Sequence, residues 1–231
     1  MSLDDLAKLP EGFAGLVRVF PLPGAVMFPH ALQPLHVFEP RYVAMLEDAL
    51  AEDQLLAMAL LQPGWEPSYE ERPPIFPVIC IGRVVSHTRM SDGRYNLLLL
   101  GLRRASVLRE LPPSRAYREA EVTVLEDLYP PSSRDDRRRL QRALLKEFKR
   151  CLPSSLAKDE PLEQLLSRQL PLGVLTDIVA FTVKFDTHFK QKLLSEWNVD
   201  HRAQLLLKRL ADWNPEEPSS EQPFPPRFSP N

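Results

Sequence analysis

The sequence predicts an α+β protein in which a strongly curved β-rich half precedes an all-helical half. Short runs of β-forming residues recur between positions 16 and 125. Asp92-Gly93, a strong hairpin signal, separates two of them. From Asp135 onward the apolar spacing changes from strand-like to helical.

Leu16–Phe20 (LVRVF) alternates and is rich in β-formers, so it reads as the first strand. It runs into a segment carrying Pro21, Pro23, Pro29 and Pro34, too many for a regular helix or a long central strand. Leu35–Phe38 is a second extended piece. Glu39-Pro40-Arg41-Tyr42 then opens a helix, because proline at the first helical position gives up an N–H that would have no partner there. Tyr42, Met45, Leu46, Ala49 and Leu50 form its apolar face, and Leu55–Leu61 reads as a buried strand.

Residues 62–77, QPGWEPSYEERPPIFP, make a proline-rich loop. Val78–Ser86 and Arg94–Leu100 flank a hairpin tip at Ser91-Asp92-Gly93. Gly101 interrupts the second run, which suggests a bulge or bend. Ala105–Leu111 and Ala120–Leu125 add further strand. From Asp135 to Leu152, the apolar positions Leu140, Ala143, Leu144, Phe148, Cys151 and Leu152 share a helical face opposite Arg138, Arg142, Lys146 and Lys149. Helical patterns continue over Glu160–Ser167, Leu172–Val183, Asp186–Trp197 and Asp200–Trp213, with Asp200 as the expected N-cap of the last. The predicted boundaries are a β-rich domain at 1–128, a helical one at 129–213, and a disordered proline-rich tail at 214–231.

The 231 residues are 44% hydrophobic and 26% charged, a globular composition. With 24 prolines and 8 glycines, turns are set by ring stiffness more than by backbone freedom. A formal net charge of -2 argues against a dedicated nucleic-acid binder. Cys80 and Cys151, both in apolar contexts, read as buried thiols. No apolar run reaches membrane-spanning length, and MSLDDLAKLPEGF lacks the basic region of a signal peptide. The expectation is a cytoplasmic protein with no membrane contact.

Chemistry is hard to find. The sequence has no phosphate-binding G-x-x-x-x-G-K-[ST] and no G-x-G-x-x-G, C-x-x-C, H-E-x-x-H or G-x-S-x-G. The histidines are scattered, and Ser86 and His87, adjacent on a strand, point to opposite faces. The basic run RDDRRRLQRALLKEFKR reads as a solvated helix face, since no aromatic platform accompanies it. No catalytic, cofactor or metal residue is predicted.

The blocks FPLPGAVMFP, LQPLHVFEPRY, IGRVV, DGRYN, GLRR, KQKLL and VDHR occur in this order. Together they resemble the N-terminal, substrate-binding domain of the ATP-dependent Lon protease, over roughly residues 16 to 213. The resemblance implies a PUA-like β-barrel, or pseudo-barrel, followed by a C-terminal α-helical bundle. It makes Phe20, Pro21, Pro23, Phe28, Pro29, Phe38, Glu39, Pro40, Arg41, Tyr42, Gly82, Gly93 and Gly101 a mainly structural signature. In it prolines hold the crossing segment extended, and Phe20, Phe28, Leu35 and Phe38 fill the barrel. Arg41 is placed to pair with a carboxylate or to cap carbonyls.

No AAA+ or proteolytic segment is visible, so the expectation is a stand-alone, non-enzymatic Lon-domain protein. It would recognise unfolded or partner polypeptides and could act with a separate AAA+ protease. RNA binding through the PUA-like barrel is the alternative, on fold analogy alone. Trp65 and Tyr69, between prolines and glutamates in the 62–77 loop, are the candidate polypeptide-binding residues, since burying both in the core would be hard; the competing reading has Trp65 fold back to plug the barrel mouth.

Overall fold

A computed structural model of the chain describes residues 7–131, 134–151 and 170–212. They divide between Glu126 and Asp127 into two compact units, one β-rich and one helical. The expected helix at Glu160–Ser167 and the expected disordered tail at 214–231 lie outside the described residues.

In the β unit, β1 (Leu16–Leu22) runs parallel to β3 (Leu55–Leu60) through Val19–Leu22 and antiparallel to β6 (Arg118–Leu125) through Leu16–Val19. The strand extends through Pro21, which the sequence placed beyond its end. At Pro21 the β6 pairing has already stopped, so a missing N–H on that side breaks no rung. β3 is buried at every position. α1 (Pro40–Ala51) has Pro at its start and buries Tyr42, Met45, Leu46 and Ala49. Each large side chain so buried contributes about 1.5–3 kcal/mol.

β4 (Val78–Arg89) and β5 (Tyr95–Glu110) form a long hairpin. Gly93 sits at its tip with φ of 86°, and Asp92 Oδ1 accepts from the Arg94 N–H at 3.1 Å. The two runs expected on either side of Gly101 are one strand of 16 residues. Gly101 does mark an irregularity: Gly82 pairs Gly101 while Ile81 pairs Arg103, which leaves Leu102 as an extra residue.

Bulged here, β5 serves two neighbourhoods. Its first half pairs β2 (Leu32–Val37), and its second half pairs β6. The order is β2-β5-β4-β3-β1-β6, with β6 returning to β5. The result is a mixed six-stranded sheet curled into a pseudo-barrel rather than a simple closed barrel. Its interior holds Val17, Val19, Leu55, Ile79, Ile81, Leu102 and Val122.

The helical unit comprises α2 (Arg134–Cys151), α3 (Leu172–Thr182), α4 (Thr187–Ser195) and α5 (Val199–Ala211). Leu144, Phe148, Leu175, Val179, Leu193, Ala203, Leu206 and Leu210 are buried within it. On α2, Leu144 and Phe148 are buried as the spacing requires, while Arg138, Arg142, Lys146 and Lys149 are exposed. Ala143, assigned to the apolar face, is exposed.

α5 is capped by Asn198, whose side chain accepts from the His201 N–H, and not by Asp200. Asp200 instead receives the guanidinium of Arg137 at 2.8 Å. A fully buried Arg202 grips Asp127 with both terminal nitrogens, at 3.0 and 2.9 Å, and donates through Nε to Thr176 at 2.8 Å. Such a pair ties the unit together through geometry, because its net worth depends on every bond being made.

Candidate functional site

Two local features of the β unit meet at the start of α1. The residue before Pro40 is biased to extended backbone, so Glu39 is extended and its carboxylate stays near the helix N-terminus. Arg41 donates to Glu39 Oε2 through Nε and Nη2, at 3.1 and 2.9 Å. It also donates through Nη1 to the Tyr69 carbonyl at 3.2 Å, so it both pairs a carboxylate and caps a carbonyl. Its guanidinium carbon lies 4.8 Å from the Tyr42 ring centre and 4.9 Å from that of Tyr69. Tyr69 closes the circuit by donating its hydroxyl to Glu39 Oε1 at 2.6 Å. Burial, reinforced by that bond, pushes the Tyr69 phenol far above its ordinary pKa; burial does the same to Tyr42.

This circuit corrects the sequence expectation for Tyr69. The ring is only 7% exposed and belongs to the barrel core. Burial is possible because Glu39 satisfies its hydroxyl, a partner thirty residues upstream that nothing in the loop announces. Trp65 is half-buried, packs on the same core and meets Tyr69 edge-on with centroids 5.3 Å apart.

Among the signature residues, Phe20, Pro21, Phe28, Pro29, Tyr42, Gly82 and Gly101 are buried. Pro23, Glu39, Arg41 and Gly93 are half-buried, and Pro40 is exposed. Phe38 and Leu35, expected to fill the barrel, are half-buried and line a surface cavity instead.

That cavity, about 310 Å³, lies beside β2 and is walled largely by Phe20, Leu22, Leu35, Phe38 and Tyr42. A second, about 410 Å³, also borders β2 and is lined by Ser86, Thr88, Asn96 and Leu98 together with Pro34 and His36. Leu32 is 50% exposed and Leu98 38%, and Leu98 sits directly opposite the exposed Pro34. Sequence reasoning did not single out Leu32 or Leu98. Both lie in leucine-rich strands, and which leucines face outward follows only from the pairing register.

A third cleft, about 280 Å³, contains Arg41, Arg72, Arg115 and Arg118. None is a spare cation. Arg41 is held by Glu39, Arg72 donates to the Leu111 carbonyl, Arg115 pairs Asp48 at 2.6 Å, and Arg118 donates to Glu110 at 2.8 Å. Tyr117 in the same wall donates to Asp48 at 2.7 Å, and burial followed by that bond pushes its phenol up to about 12.

Cys80 and Cys151 are buried thiols, and burial raises the pKa of Cys151. Among the described residues no three His, Cys, Asp or Glu side chains gather as metal ligands would. Around β2 the structure offers apolar contact and main-chain hydrogen bonding, with the polar side chains of His36, Ser86, Thr88 and Asn96 in the second cavity.

The family model for the ATP-dependent protease La (LON) substrate-binding domain matches residues 17–212. The Lon protease of Dictyoglomus thermophilum is 28% identical over 207 residues, covering 88% of this chain and 24% of that one. The Lon protease of Aquifex aeolicus is 26% identical over 217 residues, covering 91% and 27%. The chain thus spans about a quarter of the length of these curated relatives.

Among solved structures, the N-terminal domain of Mycobacterium avium complex Lon protease superposes with a TM-score of 0.63 at 20% identity, covering 85% of this chain and 98% of that one. A Lon N-terminal domain protein from Xanthomonas campestris gives 0.60 at 21%, covering 84% and 97%. Both likenesses bear on the fold.

Proposed function

Because the chain belongs to the family of Lon protease substrate-binding domains, we propose that it is a non-catalytic module that binds unfolded or partner polypeptides. The observation that carries this reading is the apolar ground around β2: exposed Leu32, Pro34 and Leu98 beside a cavity walled by Phe20, Leu22 and Phe38. Apolar side chains left in water on a sheet mark an interaction surface when they cluster. An unfolded chain is the ligand class that presents apolar side chains without a fixed shape. This reading centres the site on the β2 side of the unit rather than on the loop of Trp65 and Tyr69, because Tyr69 is a core ring and Trp65 is half-buried against it.

RNA binding is not favoured. The β unit is net acidic by sequence, and the arginines of its cleft are already held by carboxylates or carbonyls. Among the described residues no helix is long and apolar enough to cross a membrane. Two buried thiols fit work in a reducing cytoplasm, and a separate AAA+ protease is the partner to which bound polypeptide would pass.

The test is fluorescence anisotropy with labelled, reduced and carboxymethylated α-lactalbumin. Leu32→Ser with Leu98→Ser should weaken binding about tenfold, equivalent to about 1.4 kcal/mol, with the melting temperature unchanged. Undiminished binding by that double variant, or no binding by the parent protein, would sink the reading.

A further inference from the structure

We propose that the bound polypeptide adds to β2 as an extended strand, its alternate side chains entering the two cavities that flank that strand; this rests on the polypeptide-binding reading above. β2 pairs only with β5 among the described residues, so one edge of it is open. The direction of its backbone groups follows from the register. Gly101 donates to the Ala31 carbonyl at 2.9 Å and accepts from the His30 N–H at 2.8 Å, so both its groups face the β2 side. Alternation then turns Leu99 and Leu97 the same way, towards their partners Gln33 and Leu35. Leu32, Pro34 and His36 therefore direct their main-chain groups outward, where the missing donor of Pro34 breaks no existing rung.

An incoming strand meets an N–H and a carbonyl at Leu32, a carbonyl at Pro34, and an N–H and a carbonyl at His36. The Pro34 carbonyl already accepts from the Gln33 amide at 3.1 Å, but a carbonyl has two lone pairs and can take a second donor. The edge also disfavours pairing with a second copy of itself, since each copy would bring the proline's missing donor to the contact.

Successive side chains of the added strand point to opposite faces. One set falls towards the cavity of Phe20, Leu22, Phe38 and Tyr42, and the other towards Ser86, Thr88, Asn96 and Leu98. The first cavity calls for apolar residues and the second accepts small polar ones. Charge narrows the occupant further. The single Asp, Glu, Lys or Arg in either lining is Glu39, which is held by Arg41 and Tyr69, and His36 borders both cavities with its Nδ1 2.8 Å from Asn96 Oδ1. The segment that fits is uncharged, alternates apolar with small polar residues, and has no proline at the pairing positions.

The probe is a fluorescent peptide of about ten residues alternating leucine and threonine. Two further series carry backbone N-methyl groups at odd or at even positions. Strand addition predicts that one parity weakens binding at least tenfold while the other stays within about twofold, because only alternate N–H groups face β2. It also predicts slowed amide exchange at Leu32 and His36 in the complex. Equal loss for both parities with the parent peptide still bound overturns strand addition and leaves polypeptide recognition standing. Failure of the parent peptide to bind, while unfolded α-lactalbumin binds, likewise overturns the strand geometry alone. Failure of both ligands overturns both readings.

Discussion

Replacing Gly101 with alanine should damage the β unit far more than the same change at Gly93, and for a different reason. A Cβ built on Gly101 would lie 2.0 Å from the carbonyl oxygen of Phe28 and 2.8 Å from its carbonyl carbon. Both obstructing atoms are backbone, so no rotamer change relieves the contact. The Phe28–Ala31 stretch must retreat, and its two main-chain bonds to Gly101 stretch or break. Each is worth about 1 kcal/mol net. Overpacking strain adds about 1–3 kcal/mol as Phe28 and Met27, now fully buried, lose contacts.

The expected cost at Gly101 is about 3–5 kcal/mol. At Gly93, φ is 86° but no atom lies within 4 Å of an added Cβ, so the cost is only the left-handed penalty of about 1–2 kcal/mol. Urea unfolding followed by Trp65 fluorescence, with Trp197→Phe and Trp213→Phe as background, reports on the β unit. A Gly101→Ala value within 1 kcal/mol of the parent, or below that of Gly93→Ala, would refute the idea that close backbone approach locks the crossing segment.

Two further outcomes are expected. Tyr69→Ala should cost about 3–5 kcal/mol in urea unfolding as a core truncation, and Tyr69→Phe about 1.5–3 kcal/mol through the lost bond to Glu39; near-neutral values would return Tyr69 to the candidate surface. The folded-state pKa of Tyr117, at about 12, lies above an unfolded value near 10, so its contribution is complete below pH 10 and is lost as pH rises from 10 to 12. The urea midpoint should therefore be flatter between pH 8 and 9.5 than above pH 10, and Tyr117→Phe should shallow the alkaline fall; an unchanged slope in that variant would remove Tyr117 as a cause.

What could be read from the chain was what local chemistry determines. Pro40 placed the start of α1, Asp92-Gly93 placed the hairpin, and the spacing of Leu144 and Phe148 oriented α2. Pro21 and Pro34 were misplaced outside strands because proline is tolerated wherever its missing donor faces no neighbour, and strand order is not a local property. Gly101 was correctly seen as an irregularity but overweighted as a break. Asp200 and Asn198 are both good caps two residues apart, and Arg137, far upstream, takes the aspartate. The same limit explains the candidate site. The burial of Tyr69 depends on Glu39, and the open edge of β2 is visible only once β5 has chosen its partners.

The pairing of β1 with β6 has a consequence for how the unit is made. Leu16 meets Glu121, so β1, the first strand of this unit to be synthesised, finds one of its two neighbours only about a hundred residues later. At roughly 5–20 residues per second, that is a wait of some 5–20 s with an apolar strand uncovered. The β4–β5 hairpin, whose partners are close in sequence, can form within microseconds of emerging. Synthesis thus presents the hairpin as a template on which the earlier β3 can dock, and β6 arrives last to cover β1. A chain stopped before Arg118 would keep its hairpin yet leave β1 open on that side, a state that a folding chaperone or a degrading protease would recognise first.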